Sequence, residues 1–237
     1  MRHFFAAYET DAGIKKDVNQ DSLLLKLLKN ETEEILLAVL CDGMGGMERG
    51  ELASATVVQA FDQWFRDMFI RGNGLEKLEN VQRQWQTLLE ELNAQLLRYG
   101  KKQGIALGTT ATAILLSSNG SYLIGHIGDT RIYRMKEKII QITEDHSYAE
   151  NVLLQCVGIN RFLRPQFTYG FVQKGESILL CSDGFRHMIT EQEIYENLYS
   201  RECADEQKMK RQLRKLIELN KKRRETDNIS AILIKVT

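Results

Sequence analysis

Five aspartates of this chain stand at the ends of short apolar runs. Asp42 follows 35–41 and opens Asp42-Gly43-Met44-Gly45-Gly46, and Asp183 follows 177–182 and opens Asp183-Gly184. Asp227 precedes 229–236 in Asp227-Asn228-Ile229, Asp129 sits in Gly128-Asp129-Thr130-Arg131, and Asp21 closes Asn19-Gln20-Asp21 ahead of 22–28. One Asp-Gly pair is an ordinary turn former. The repeated pattern points instead to carboxylates gathered at strand ends. Their hard oxygens suit Mg²⁺ or Mn²⁺, and no Cys/His set has the spacing of a zinc or iron site. Glycine after an aspartate lets the backbone approach a metal and offers its carbonyl as a further oxygen ligand. Such a cluster repels itself unless cations neutralise it.

The elements that must carry these aspartates are legible in the apolar pattern. Apolar residues recur at three and four in 51–69 (Ala53, Val57, Phe61, Trp64, Phe65, Met68) and in 75–99 (Leu75 to Tyr99), and again at Met209, Leu213, Leu216, Ile217 and Asn220. These are core faces of helices. Short runs rich in Ile, Val, Thr and Tyr predict strands at 3–8, 22–28, 35–41, 111–117, 122–127, 131–135, 177–182 and 229–236. Ser118-Asn119-Gly120-Ser121 and Gly128-Asp129-Thr130 read as hairpin turns, so the sheet is expected to be largely antiparallel. Runs of strands separated by long helices define an α+β chain. With no repeat and no linker, residues 1–237 are expected to form a single domain.

Composition narrows the partners. The 237 residues carry 32 Lys+Arg against 32 Asp+Glu, which excludes a bulk polyelectrolyte such as nucleic acid as the partner. Hydrophobic residues at 43% and charged residues at 27% are those of a chain able to bury a core. Four widely spaced cysteines (Cys41, Cys156, Cys181, Cys203) fit a reducing compartment. No apolar run is long enough to span a membrane, and the start has no signal-peptide succession, so a cytoplasmic protein is expected. From Lys208 to Arg224 there are nine Lys/Arg and one acid, Glu218, read as the solvated face of an amphipathic helix.

Taken in order, the motifs resemble those of a known family. Thr10-Asp11-Ala12-Gly13, Asn19-Gln20-Asp21-Ser22, Cys41-Asp42-Gly43-Met44-Gly45-Gly46 and Gly50-Glu51-Leu52-Ala53-Ser54 resemble the opening of metal-dependent PP2C-type (PPM) protein serine/threonine phosphatases of the bacterial branch. Gly108-Thr109-Thr110, His126-Ile127-Gly128-Asp129-Thr130-Arg131, Thr143-Glu144-Asp145-His146-Ser147, Leu180-Cys181-Ser182-Asp183-Gly184 and Asp227-Asn228-Ile229-Ser230 continue it. The resemblance runs from about residue 8 to 236. It implies a four-layer α/β/β/α sandwich of two mainly antiparallel sheets flanked by helices, with a metal centre at one end. It also implies that Asp42 bridges two Mg²⁺ or Mn²⁺ ions, Gly43 lends its carbonyl, Asp183 and Asp227 hold the first ion, and Asp21 lies beside the second. Asp129 matches the aspartate of a third, weaker ion, and Asn228 a residue that orients its neighbour and the turn.

The chain departs from the family pattern in places. Lys16 stands where members carry a phosphate-binding arginine, keeping the charge but losing the bidentate fork; Lys15 is a second candidate. After Asp145-His146-Ser147 the usual flap is shortened, and Ser147 runs almost at once into Asn151-Val152-Leu153-Leu154-Gln155-Cys156-Val157-Gly158. A helix ending in glycine is expected there, with a more open site. Met44 stands where some relatives have a histidine, and His146 is expected to serve structurally.

Together these readings predict an enzyme: a phosphoserine/phosphothreonine protein phosphatase acting through water activated by two metal ions. It is expected to be a monomer that opposes a bacterial Ser/Thr kinase, with phosphorylated proteins as substrates and neither nucleic acid nor membrane as partner. A scaffold that has lost catalysis is disfavoured because all five aspartates are present. A phosphatase of small phosphate esters has the same metal requirement. The neutral total charge hides an acidic cleft that attracts phosphate once metal binds.

Overall fold

All eight residues of β3 (Glu34–Cys41) are buried, which requires cover on both faces of the strand. The side chains alternate between the two covers. Leu36, Ala38 and Leu40 enter the layer between two sheets, while Ile35, Leu37, Val39 and Cys41 meet helices. The computed structural model describes every residue of the chain except 45–48, 71–76, 150–151, 200–202 and 204.

One sheet has the order β10 (Gln166–Phe171), β5 (Ser121–Ile127), β4 (Ala111–Ser117), β3, β2 (Ser22–Lys29). The other has the order β1 (Phe4–Asp11), β12 (Ile229–Val236), β11 (Ser177–Cys181), β6 (Arg131–Met135), β7 (Ile139–Gln141). Every neighbouring pair is antiparallel. Between the sheets lie Phe4, Leu36, Leu40, Ile114, Leu180 and Ile232. The first sheet is covered by α1 (Gly50–Ile70) and α2 (Leu78–Gln103), where Trp85 packs edge-on against Phe61 at 5.3 Å. The second is covered by α3 (Asp183–Arg186), α4 (Glu191–Leu198) and α5 (Glu206–Lys222). These four layers are the expected α/β/β/α sandwich.

Helix ends follow local chemistry. Helix α2 stops at Gly104, whose φ of 72° ends it in the left-handed region, with Lys101 and Lys102 in the last turn. Leu75, expected in its first turn, lies outside the described residues. Thr190 caps α4 in a reciprocal box with Glu193. The basic face of α5 is largely ion-paired: Lys210 and Arg214 with Glu9, Lys221 with Asp11 and Glu218, Arg223 with Glu193. It is a solvated face, as expected.

Two expectations need correction. Ser118-Asn119-Gly120 does join the hairpin β4–β5, but Gly128-Asp129-Thr130 is not a hairpin turn: β5 belongs to one sheet and β6 to the other. At Gly128 φ is 108°, and a Cβ there would come within 2.5 Å of the Thr110 side chain. A residue free of both restraints lets the chain cross the sandwich at its end, and this crossing carries Asp129 there. Nor does a helix follow Ser147. β8 (Ser147–Ala149) pairs with β9 (Val152–Leu153), and Val157 then bridges to Thr109. His146 N–H donates to Gly128 O at 2.7 Å and Leu154 N–H to His146 O at 2.7 Å. The described parts of the short segment are thus paired strands bonded to the loops at the sandwich end, with 150–151 outside the described residues.

Candidate metal centre and phosphate site

Four loops meet at that end, and backbone hydrogen bonds stitch them together. Asp42, just past β3, donates its N–H to Thr110 Oγ1 at 2.8 Å, and its carbonyl accepts from Thr110 N at 2.9 Å and Thr109 Oγ1 at 2.9 Å. Thr110 Oγ1 also shares a 2.8 Å hydrogen bond with Thr130 Oγ1, so one threonine ties the Asp42 loop to the Asp129 loop. Gly43 N–H donates to Gln20 O at 3.1 Å, and Ser54 Oγ donates to the same carbonyl at 2.6 Å, which brings the Asp21 loop alongside. Ser182 N–H donates to Ser230 O at 3.0 Å, placing Asp183 beside the start of β12.

The glycines allow the contact. A Cβ on Gly43 would lie 2.4 Å from Gln20 O and 2.6 Å from Gly50 O, and one on Gly184 would lie 2.2 Å from Asn228 O. Only residues without side chains permit these loops to approach so closely.

The carboxylates feel one another. Burial pushes the Asp42 carboxyl well above the usual carboxylate range, and the charges of Asp21, Asp183, Asp129 and Asp227 push it further. Burial raises Asp21 to about 7, reinforced by Asp183 and Asp227 and partly offset by the Ser230 and Ser182 hydroxyls. Both Asp21 oxygens are buried, and the two serine hydroxyls near them close no well-formed hydrogen bond. Asp129 is 8% exposed, and burial raises it to about 6, with Asp183 adding to the rise and Arg186 opposing it.

Carboxylates that crowd and repel one another, with both oxygens of Asp21 buried, fit hard divalent cations. The residues that could hold them are Asp21, Asp42, Gly43, Asp183 and Asp227. Among the described residues, no group of three or more His, Cys, Asp and Glu side chains is placed to hold a metal ion as it stands. Carboxylates that repel are expected to stand apart until a cation draws them in.

Lys16 reaches the same place, its Nζ 3.4 Å from Asp227 Oδ1, whereas Lys15 is exposed. His146 does not enter the cluster. It packs against His126 with the rings tilted and their centroids 4.9 Å apart, and accepts the Gly128 N–H at Nδ1 over 3.3 Å, the structural role expected of it. All four cysteines are free and buried; burial pushes Cys181 to about 12 and Cys156 to about 11, and Cys41 also upward. Such thiols stay protonated and unreactive.

Three participants escaped the sequence reading. Arg186 Nη2 lies 3.9 Å from Asp129 Oδ2 and 3.7 Å from Asp145 Oδ2. His187 stands between Asp183 (3.7 Å) and the buried Glu225 (3.5 Å). Glu225 Oε1 in turn accepts the N–H groups of Thr226 at 2.7 Å and Asp227 at 2.9 Å. Their signal was positional: Arg186 and His187 follow Asp183 by one helical turn, and Glu225 precedes Asp227 by two residues.

Two antiparallel sheets under paired helical layers, with aspartates at one end, make a PP2C-like fold. The profile of the family Protein phosphatase 2C matches residues 12–228, and the chain belongs to that family. It is a PP2C-type serine/threonine protein phosphatase. The serine/threonine phosphatase stp of Listeria monocytogenes serotype 4b is 25% identical over 223 residues, 85% of each chain. The crystal structure of a bacterial serine phosphatase superposes with a TM-score of 0.82 at 25% identity, covering 98% of this chain and 97% of that one. The catalytic domain of the serine/threonine protein phosphatase PstP, in complex with 2 manganese ions, shares the fold at a TM-score of 0.80 and 24% identity, with 100% of both chains covered. No helix among the described residues is long and apolar enough to cross a membrane.

Proposed function

We propose that this chain removes phosphate from phosphoserine and phosphothreonine in proteins at a centre of two Mg²⁺ or Mn²⁺ ions held by Asp21, Asp42, Gly43, Asp183 and Asp227. The observation that carries it is Asp21, whose two buried oxygens close no well-formed hydrogen bond and face the charges of Asp183 and Asp227. The two manganese ions of the PstP catalytic domain support the same count. The ions supply a water acidic enough to ionise near neutral pH and positive charge for the phosphate oxygens.

The chain's own groups do the rest. Asp42 is held at both its N–H and its carbonyl by Thr109 and Thr110, so its carboxylate is fixed before any ligand arrives. The Lys16 ammonium at the edge of the cluster meets the incoming phosphate as a point charge. With every cysteine buried, no exposed thiol competes as nucleophile. Attack on phosphorus by water would break the bond to the seryl or threonyl oxygen on the opposite side, that oxygen taking up a proton from water, to give the free hydroxyl and inorganic phosphate with no covalent enzyme intermediate. The bacterial relatives are serine/threonine phosphatases, which supports phosphorylated proteins as substrates; on this reading the chain is a cytoplasmic monomer that opposes a Ser/Thr kinase.

The test is hydrolysis of a phosphothreonine peptide and of p-nitrophenyl phosphate with Mn²⁺. Both activities are expected to vanish with EDTA and in Asp42→Ala, with the peptide turned over at higher kcat/KM. Activity surviving in Asp42→Ala would reject the centre, and a preference for the small ester would reject the protein substrate.

A further inference from the structure

We propose that Arg186 is a resident cation at Asp129, and that this chain therefore binds two metal ions without the third that Asp129 matches in its relatives. The inference narrows the two-ion reading above and rests on it only for the two. Asp129 lies at the crossing between β5 and β6, and Asp145 lies nearby across Arg186. The Arg186 guanidinium reaches both, at 3.9 Å and 3.7 Å, with its side chain only 15% exposed. Arg131 takes Asp145 from another side in a fork, Nε at 3.0 Å and 3.1 Å from the two oxygens and Nη2 at 2.8 Å. Two carboxylates here face two guanidinium groups.

The neighbouring corner is built differently. Asp21, Asp42, Asp183 and Asp227 face one ammonium, Lys16, and an imidazole, His187. Cations are needed there, whereas the Asp129 corner already holds a fixed one in Arg186, set against the charges of Asp129, Asp145 and the nearby Asp183. Guanidinium does not deprotonate, so its charge cannot be shed to admit an ion, as a histidine's or lysine's could be. A divalent ion on Asp129 would meet that fixed charge in a partly buried place where screening is weak.

Arg186 is also held in position. It ends α3 directly after Phe185, which is fully buried and whose carbonyl accepts from Asn220 Nδ2 at 2.9 Å. Its Nε is buried without a hydrogen-bond partner, so charge rather than a hydrogen-bond network holds the head group between the two aspartates.

The experiment counts Mn²⁺ bound to the EDTA-stripped full chain by calorimetric titration and native mass spectrometry, for wild type, Asp129→Asn, Arg186→Gln, Arg186→Lys and the double variant Arg186→Gln/Asp129→Asn. Two ions are expected in wild type and in Asp129→Asn. Arg186→Gln is expected to gain a third ion at least about tenfold tighter than any further binding in wild type, since a fixed positive neighbour is gone. The double variant is expected to lose it, and Arg186→Lys, whose ammonium can shed its proton, to bind a third ion more weakly than Arg186→Gln. A third ion in wild type that disappears in Asp129→Asn would overturn the inference, as would folded Arg186→Gln remaining at two. If Arg186→Gln does not fold, wild type against Asp129→Asn decides alone. Wild type binding no Mn²⁺ would reject the two-ion centre, while the Arg186→Gln comparison would still read Arg186.

Discussion

Asn228 Oδ1 accepts the backbone N–H of Gln20 at 2.9 Å, so the residue after Asp227 holds the residue before Asp21. Its Nδ2 donates to Ala12 O at 3.0 Å and Val18 O at 3.2 Å. A single side chain thus ties the loop between β1 and β2 to the entry of β12. Asn228→Ala is expected to lose about 1–3 kcal/mol by stranding these groups. Because Asp21 and Asp227 are set by the same clasp, Mn²⁺ affinity should fall roughly 10–100-fold. Thermal melting and Mn²⁺ titration check this, and unchanged affinity would show that the clasp positions neither aspartate.

Lys16 stands beside Asp227 rather than apart from the cluster. Lysine gives charge without a fork, so Lys16→Arg is expected to lower KM for a phosphopeptide about two- to fivefold, and Lys16→Met to raise it about tenfold. Metal affinity should hold or tighten in Lys16→Met, since the ammonium opposes cations next to Asp227. KM measured at saturating Mn²⁺, beside a metal titration, separates the two effects. An unchanged or higher KM in Lys16→Arg counts against a phosphate role.

Asp21 gives the metal-free chain a pH signature. Its carboxyl titrates near 7 in the fold against 3.8 for an ordinary aspartate, so between those values the folded chain holds a proton that the unfolded chain has released. Its contribution to stability is complete below the lower value and is lost as pH rises through the upper one, by about 1–3 kcal/mol. His126 acts oppositely: burial holds it at about 4 against 6.5, which favours the fold as pH rises through that window. The difference between wild type and Asp21→Asn isolates the aspartate. Metal-free Asp21→Asn should gain on wild type in Tm from pH 5 to pH 7.5, and Mn²⁺ should abolish or reverse the gain. A difference independent of pH would remove Asp21 as its source.

The strands at 111–117, 131–135 and 229–236 could be read to the residue, because their Ile, Val and Leu fill faces that only a buried strand presents. The aspartates were legible for a related reason: chemistry at a sheet's end must follow the strand that carries it. The join at 128–130 was not legible, because its sequence makes a turn without saying which sheet receives the next strand. β10 was missed although Phe167, Tyr169 and Phe171 alternate, since its residues are only partly buried at an edge. Arg186 went unrecognised because Asp129 and Asp145 lie on other elements, and the link between His187 and Glu225 crosses the fold and leaves no local pattern.

Glu225 offers the sharpest separation of positioning from chemistry. Its Oε1 accepts the N–H groups of Thr226 and Asp227, while Oε2 lies 3.5 Å from His187, whose far nitrogen is 3.7 Å from Asp183. One buried carboxylate therefore braces two of the proposed metal aspartates, one through the backbone and one through an imidazole. His187 is held above its ordinary range, first by Glu225 and further by Asp183, and Glu225 is correspondingly lowered by His187 and the two N–H groups, which outweigh its burial. Glu225→Gln keeps an acceptor for the backbone but removes the charge that favours imidazolium. The backbone at Asp227 should stay set while Asp183 loses its brace, so Mn²⁺ affinity should drop roughly tenfold with KM for phosphopeptide near wild type. Glu225→Ala loses both supports and should fall further, by roughly 100-fold, with a drop in Tm. Equal affinities in the two variants would mean that the His187 arm contributes nothing, and that Glu225 acts through the Asp227 turn alone.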